Sequence, residues 1–267
     1  MPKPAQAGRS ISNFPANAIG EGCQNRRMRN RYEVNADVGE GLPDDAELMT
    51  LVTQANVACG FHAGDLATMR ETCRLAVTHG VEVGAQVSYR DRAHFGRRDL
   101  DVGHATLVAD LEDQLVALAG AAAQAGTVIG YLKPHGALYN RAVVDDARAA
   151  AIVEVCHRHT LAVVSLPGSR LLVLAEQAGV ATRREFFADR GYDACGHLVP
   201  RDQVGAMVTD PATVATRVRQ LLDQRTVTSV DGEPVDVEAD SICVHGDSPA
   251  AVDLARAVRR VLDEAGR

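Results

Sequence analysis

Seven short apolar runs succeed one another along the chain, and each is followed by a segment with helical periodicity. The runs are Tyr32–Val38, Asn56–Cys59, Val81–Val87, Val128–Lys133, Leu161–Leu166, Arg183–Ala188 and Ser241–Val244. After the first, Asp44 with Glu47 reads as a capping box, and Leu48, Leu51, Val52 and Ala55 share a helical face. Further helices are expected from Asp65 to His79, stopped by Gly80, from Leu107 to Gly126, and over Asp145–His159 and Ser169–Ala178. Asp210-Pro211 opens another, running to about Arg225, and Ser248-Pro249 opens the last. An Asp-Gly turn inside Val227–Asp240 predicts a small inserted hairpin. Strand–helix alternation implies parallel strands with covering helices. Seven such units without a change of character predict an α/β protein with a single seven-stranded β/α (TIM-like) barrel over residues 31–267. Residues 1–30 read as an N-terminal extension, with Met28 as an alternative start.

Aromatic residues make up 4% of the chain and Trp is absent, so the core is expected to be Ala, Val and Leu. A net charge of −7 argues against a nucleic-acid or anionic-membrane surface. The longest apolar run, Leu115–Ala123, is far short of the ~18 residues that cross a bilayer. With no secretory leader and no CxxC pair, the six cysteines are expected to be free thiols in a cytoplasmic protein.

The polar residues cluster just after the strands. They fall in NADVGEG (Asn35–Gly41), CGFHAGD (Cys59–Asp65), QVSYRD (Gln86–Asp91), KPHGALYN (Lys133–Asn140), FADRGY (Phe187–Tyr192) and VHGD (Val244–Asp247). Strand C-termini are where barrel enzymes assemble their sites, so these segments are expected to converge. Strand alternation puts Asn35 with Asp37, Lys133 with His135, and Cys243 with His245. Asp37 is a candidate catalytic or ligand-binding carboxylate, and its alternative is a turn cap before Gly39. His62 and His135 each precede a glycine, which suggests backbone tightened around a ligand. With Asp37 they form a candidate set for zinc or another divalent cation, although no HxH or HxxxH spacing supports it. Lys133 suits a phosphate or a developing oxyanion, and Arg97-Arg98 a clamped anion. Asp189-Arg190 reads equally as a local ion pair, and Cys59 and Cys243 as small core residues. The chain contains no GxxxxGK[ST], GxGxxG after a strand, GxSxG or HExxH.

Taken in order, NADVGEG, ANVACGFHAGD, FGRR, KPHGALYN, FADRGY, LVPR (Leu198–Arg201) and CVHGD resemble the hallmarks of the LamB/YcsF family, from about Glu33 to the C-terminal helix. The resemblance implies a barrel similar to the glycoside hydrolase/deacetylase fold. It also implies ATP-dependent opening of the 5-oxoproline lactam to L-glutamate, with ATP and Mg²⁺ as co-substrate and partner subunits B and C. A homo-oligomer is left open. On this reading Lys133 and Arg201 hold phosphate or substrate carboxylate, and Asp37 or His135 activates water. Glu40, His62, Asp65, Asp189 and His245 orient the ligand or its Mg²⁺, while Asn35, Arg97, Arg190 and Asp247 complete the binding site. Family members often read GAHPSYPD where this chain reads GAQVSYRD, so Gln86 stands in place of a histidine and Arg90 in place of a proline. A metal-dependent deacetylase or amidase, and a non-catalytic lactam-binding subunit, are the alternative readings.

Overall fold

A computed structural model describes residues 32–248 and 250–266. Seven parallel strands close on themselves: β1 (Glu33–Val38), β2 (Gln54–Ala58), β3 (Glu82–Val87), β4 (Ile129–Pro134), β5 (Ala162–Ser165), β6 (Thr182–Phe187) and β9 (Ser241–Val244). Closure is made by β9, which pairs with β6 on one side and β1 on the other. The predicted hairpin is present as β7 (Thr226–Thr228) and β8 (Pro234–Asp236), and it stands outside the barrel as its own two-stranded sheet.

The covering helices are α1 (Asp45–Leu48), α2 (Leu66–His79), α3 (His104–Ala125), α4 (Gly136–Val144), α5 (Asp146–His159), α6 (Arg170–Gln177), α7 (Pro211–Gln224) and α8 (Ala251–Glu264). Their ends follow from local chemistry. Asp65, Asp145, Ser169 and Asp210 each accept a backbone N–H of the first turn, and Gly80 takes the left-handed conformation that stops α2. Leu111, Leu118, Leu138, Ile152, Leu254 and Val258 press the helices onto the outer strand faces with essentially no exposure. The expected Ala, Val and Leu core is this outer layer.

The fold departs from the sequence expectations at three places. The helix placed after Asp44 lasts one turn, and Asp44 makes no side-chain cap; the Thr53 amide is already bonded to Val34 O at 2.8 Å, which draws the chain into β2 two residues early. No helix was expected at Gly136–Val144, where the sequence shows a polar segment after β4 and places the next helix over Asp145–His159; Leu138 and Ala142, both buried, dock it. The last helix begins at Ala251, and Pro249 lies outside the described residues, as does the extension 1–30.

The barrel interior is polar, where a β/α barrel is ordinarily filled by Val, Ile and Leu. Tyr131 on β4 donates to Asn56 on β2 at 2.7 Å. Lys133 on β4 reaches Asn35 on β1 and Cys243 on β9. Bonds between strands that are not neighbours can only pass through the interior. At the N-terminal end Arg183 on β6 grips Glu82 on β3 through two bonds of 2.8 and 2.9 Å, which closes that end.

Candidate active site

Strand alternation and parallel register bring the ends of β1, β4, β6 and β9, with Arg97 from the loop after β3, around one cavity of about 360 Å³ at the C-terminal mouth. Asp37, Lys133, His135, His245, Arg97 and Arg201 all line it. Segments as distant as Asp37 and His245 therefore do converge.

Lys133 is 2% exposed and sits in the barrel, beneath the mouth where its strand-end position suggests it would lie. Its Nζ is 2.8 Å from Glu185, 3.4 Å from Asp37, 3.2 Å from Asn35 and 3.1 Å from Cys243 Sγ. Burial favours the neutral amine, but Asp37, Cys243 and Glu185 outweigh it and hold the ammonium well above its ordinary pKa. Burial likewise works against ionised Asp37, yet Lys133, His245, His135 and the Asn56 bond hold it below the usual carboxylate range. Asp37 Oδ1 accepts from Asn56 at 2.8 Å, and Oδ2 has no hydrogen-bond partner among the described residues. Glu185 is a participant that sequence reasoning missed. Its signal was the same alternation, since Glu185 shares a strand side with Phe187, which lines the cavity. Cys243, expected as a core residue, is a neighbour of this charge cluster.

Beside the cluster, His62 and His135 stack at 4.0 Å between centroids with 13° between planes. Gln86 joins them. Its Oε1 lies 3.2 Å from His62 Nε2 and its amide nitrogen 2.9 Å from His135 Nδ1. His135 Nε2 lies 3.0 Å from Phe95 O, so it carries the proton and donates there. Both nitrogens of His135 are thereby engaged. The third group beside the pair is Glu40, 3.5 Å from His62 and 3.8 Å from His135. The candidate cation set is therefore Glu40, His62 and His135, with Glu40 where Asp37 was expected, because Asp37 is turned toward Lys133. Glu40 Oε1 is buried without a partner, but Gln86 engages both ring nitrogens beside it: its amide donates to the His135 Nδ1 lone pair, and its Oε1 accepts from His62 Nε2. As arranged, this trio does not fit a metal ion.

Burial drives the His62 pKa down to about 4, and burial with the stacked His62 drives His135 well below its ordinary value. Both rings are neutral in the fold, whereas in the unfolded chain they protonate below pH ~6.5. The unfolded state then binds more protons, so this contribution is complete above pH ~6.5 and is lost as pH falls toward 4. We expect urea-denaturation stability to drop by about 1.4 kcal/mol per pH unit for each histidine in that window. His62→Gln should flatten the slope, and an unchanged slope would contradict the neutral pair.

The remaining expected site residues divide. Arg97 and Arg201, at the rim, share Asp247: Arg97 bonds it directly and Arg201 stands 3.7 Å away. Arg190 lines the wall but commits its guanidinium to Ala206 O and Val199 O, at 3.0 and 2.7 Å, which pins the loop carrying Arg201. Asn35 lies below the pocket, donating to Ser241 Oγ at 2.6 Å. Asp189 is fully buried behind His245. Asp65 is not part of the site: it is exposed and caps α2, accepting from Thr68 N and Oγ1 at 2.8 and 2.9 Å. Its position beside Gly64 turns the backbone outward at the helix start, which the motif CGFHAGD did not reveal.

The chain is similar to curated proteins across nearly its whole length. The A subunit of the 5-oxoprolinase of Streptomyces avermitilis is 52% identical over 241 residues, which cover 88% of this chain and 96% of that protein. The corresponding A subunit from Cutibacterium acnes is 49% identical over 245 residues, with the same shares covered. Among solved structures, the lactam utilization protein from Thermus thermophilus superimposes with a TM-score of 0.83 at 37% identity, covering 88% of this chain and 97% of that one. Residues 32–267 match the LamB/YcsF family, and the chain belongs to it.

Proposed function

We propose that this chain is the A component of a 5-oxoprolinase, which opens the lactam of 5-oxoproline to L-glutamate with consumption of ATP and Mg²⁺ as co-substrate, together with subunits B and C. The convergence of Arg97, Arg201, Lys133 and Asp37 on one small cavity carries this reading, taken with the identity to 5-oxoprolinase A subunits. A cavity of about 360 Å³ is at the small end of ligand sites, which run from ~300 Å³ upward. Five-membered lactams are stable amides. Phosphorylation of the carbonyl oxygen makes the ring carbon electrophilic, and cations offset the charge that develops.

The residues divide that work. Arg97 and Arg201 are the reachable anion donors, at 39% and 30% side-chain exposure, and they take the substrate carboxylate or the phosphoryl group in place of Asp247. Lys133 has its protons directed at interior acceptors, so it acts by holding Asp37 ionised at the cavity floor. Asp37 Oδ2 is then free to accept the lactam N–H. Among the described residues no helix is long and apolar enough to cross a membrane. The proposed use of ATP goes with a cytoplasmic location.

The test is 5-oxoproline-dependent release of ADP and glutamate by the chain alone and with its B and C partners. Release that requires all three is expected. No release from the assembled mixture, with tightly bound stoichiometric zinc in the chain, would overturn the reading in favour of a metal-dependent amidase.

A further inference from the structure

Opening the lactam requires a group that takes a proton from the attacking water and gives one to the departing ring nitrogen. The structure removes most candidates. His135 has Nδ1 accepting from Gln86 and Nε2–H donating to Phe95 O, so it has no free lone pair. His62 is bonded to Ser88 and Gln86 and does not line the cavity. Asp37 is held so firmly ionised that it is a weak proton acceptor, and Lys133 remains an ammonium.

His245 is different. It follows β9 at the cavity wall, with its ring stacked on Phe187 at 5.1 Å and 22°. Behind it, the fully buried Asp189 accepts the His245 backbone N–H at 2.9 Å and lies 3.0 and 3.1 Å from Nδ1 through its two carboxylate oxygens. Burial works against an ionised Asp189, but its interactions with His245, including the bonds to the ring and backbone N–H, and with Arg190 outweigh it and keep the carboxylate. The proton is thereby fixed on Nδ1. The lone pair is left on Nε2, whereas the bonds His245 makes among the described residues run through its backbone N–H and Nδ1.

We propose that His245, oriented by Asp189, is the general base and acid of lactam opening in this protein. The inference rests on the reading of the cavity as a 5-oxoproline site. As the water oxygen bonds to the ring carbon, one water proton passes to Nε2, and Asp189 stabilises the resulting imidazolium. As the carbon–nitrogen bond breaks, its electron pair stays on nitrogen and the Nε2 proton is delivered there, which regenerates neutral His245. The added hydroxyl loses its proton to solvent as it becomes the carbonyl of an acyl phosphate, and a second water hydrolyses that to the glutamate carboxylate and inorganic phosphate. The groups facing the ring are Asp189 and Arg190 from the loop after β6, Asp37 from β1, His135 at the end of β4, and Lys133 across Phe187.

The test uses the chain assembled with its B and C partners. His245→Gln should lower kcat for glutamate release by about 10²–10⁴-fold with KM within about threefold. Asp189→Asn, which leaves His245 in place but frees its tautomer, should lower kcat by at least about 10²-fold. If the wild-type assembly releases glutamate while folded His245→Gln retains kcat within about threefold, the assignment is overturned and the function stands. If wild type releases none, it is the function that falls. Should His245→Gln not fold by circular dichroism, Asp189→Asn decides by the same kcat criterion.

Discussion

Lys133→Met should cost the protein about 3–5 kcal/mol of stability and reduce lactam opening to below about 1% of wild type. The side chain nearly conserves volume, so the loss is one of charge. Without the ammonium, Asp37 and Glu185 lose the buried cation that stands between them. Asp37 must then take up a proton or remain unpaired, and the loss of one partner from a buried pair is far costlier than the pair's net worth. Asp37 would then no longer stand ionised at the cavity floor. A second substitution separates the two effects. Lys133→Met with Glu185→Gln should recover part of the stability in urea denaturation and none of the turnover. A Lys133→Met protein as stable as wild type would remove the charge cluster from the forces that hold the fold.

Gly84→Ala is expected to be nearly as damaging, although it adds one methyl. A Cβ there would stand 2.1 Å from two ring carbons of Tyr131. That ring is fully buried, donates to Asn56 and lies under the Arg183 guanidinium at 5.0 Å, so it has nowhere to turn. The strands must separate or the Tyr131–Asn56 bond must break, at a cost of about 3 kcal/mol. Pairing of β3 with β4 already shifts register between Val83 and Gly84, and Gln86 lies two residues on, on the same face. The displacement should therefore reach the His62–His135 pair and lower activity too. Chemical denaturation within about 0.5 kcal/mol of wild type would show that the interior can yield there.

The two substitutions mark different levels of legibility. Lys133 could be picked out before any coordinates, because a lysine in a strand-end run beside His135 has few structural excuses. Gly84 could not, since nothing near it in sequence shows that Tyr131, forty-seven positions on, fills its missing side chain. Asp65 failed for a related reason: an Asp before a helix reads alike as ligand or cap, and only the direction of the turn separates them. Gln86 was visible as a departure from the family pattern, but its bridging of two imidazoles was not.

The order of the strands and of most helices, and the placing of polar segments at the strand ends, were set by information local in sequence, while the α4 helix was not. Hydrophobic period, caps and strand-end position operate over a few residues and survive in any context. Which donor meets which acceptor depends on the curvature of the closed sheet, which places β4 opposite β1, β6 and β9. Tertiary structure alone therefore decided that Glu185 joins Lys133, that Glu40 replaces Asp37 beside the histidines, and that His245 keeps a free nitrogen while His135 does not. Strand alternation determines the side of the sheet on which a residue lies, but hydrogen-bond partners are chosen across the barrel, at separations the sequence does not encode locally.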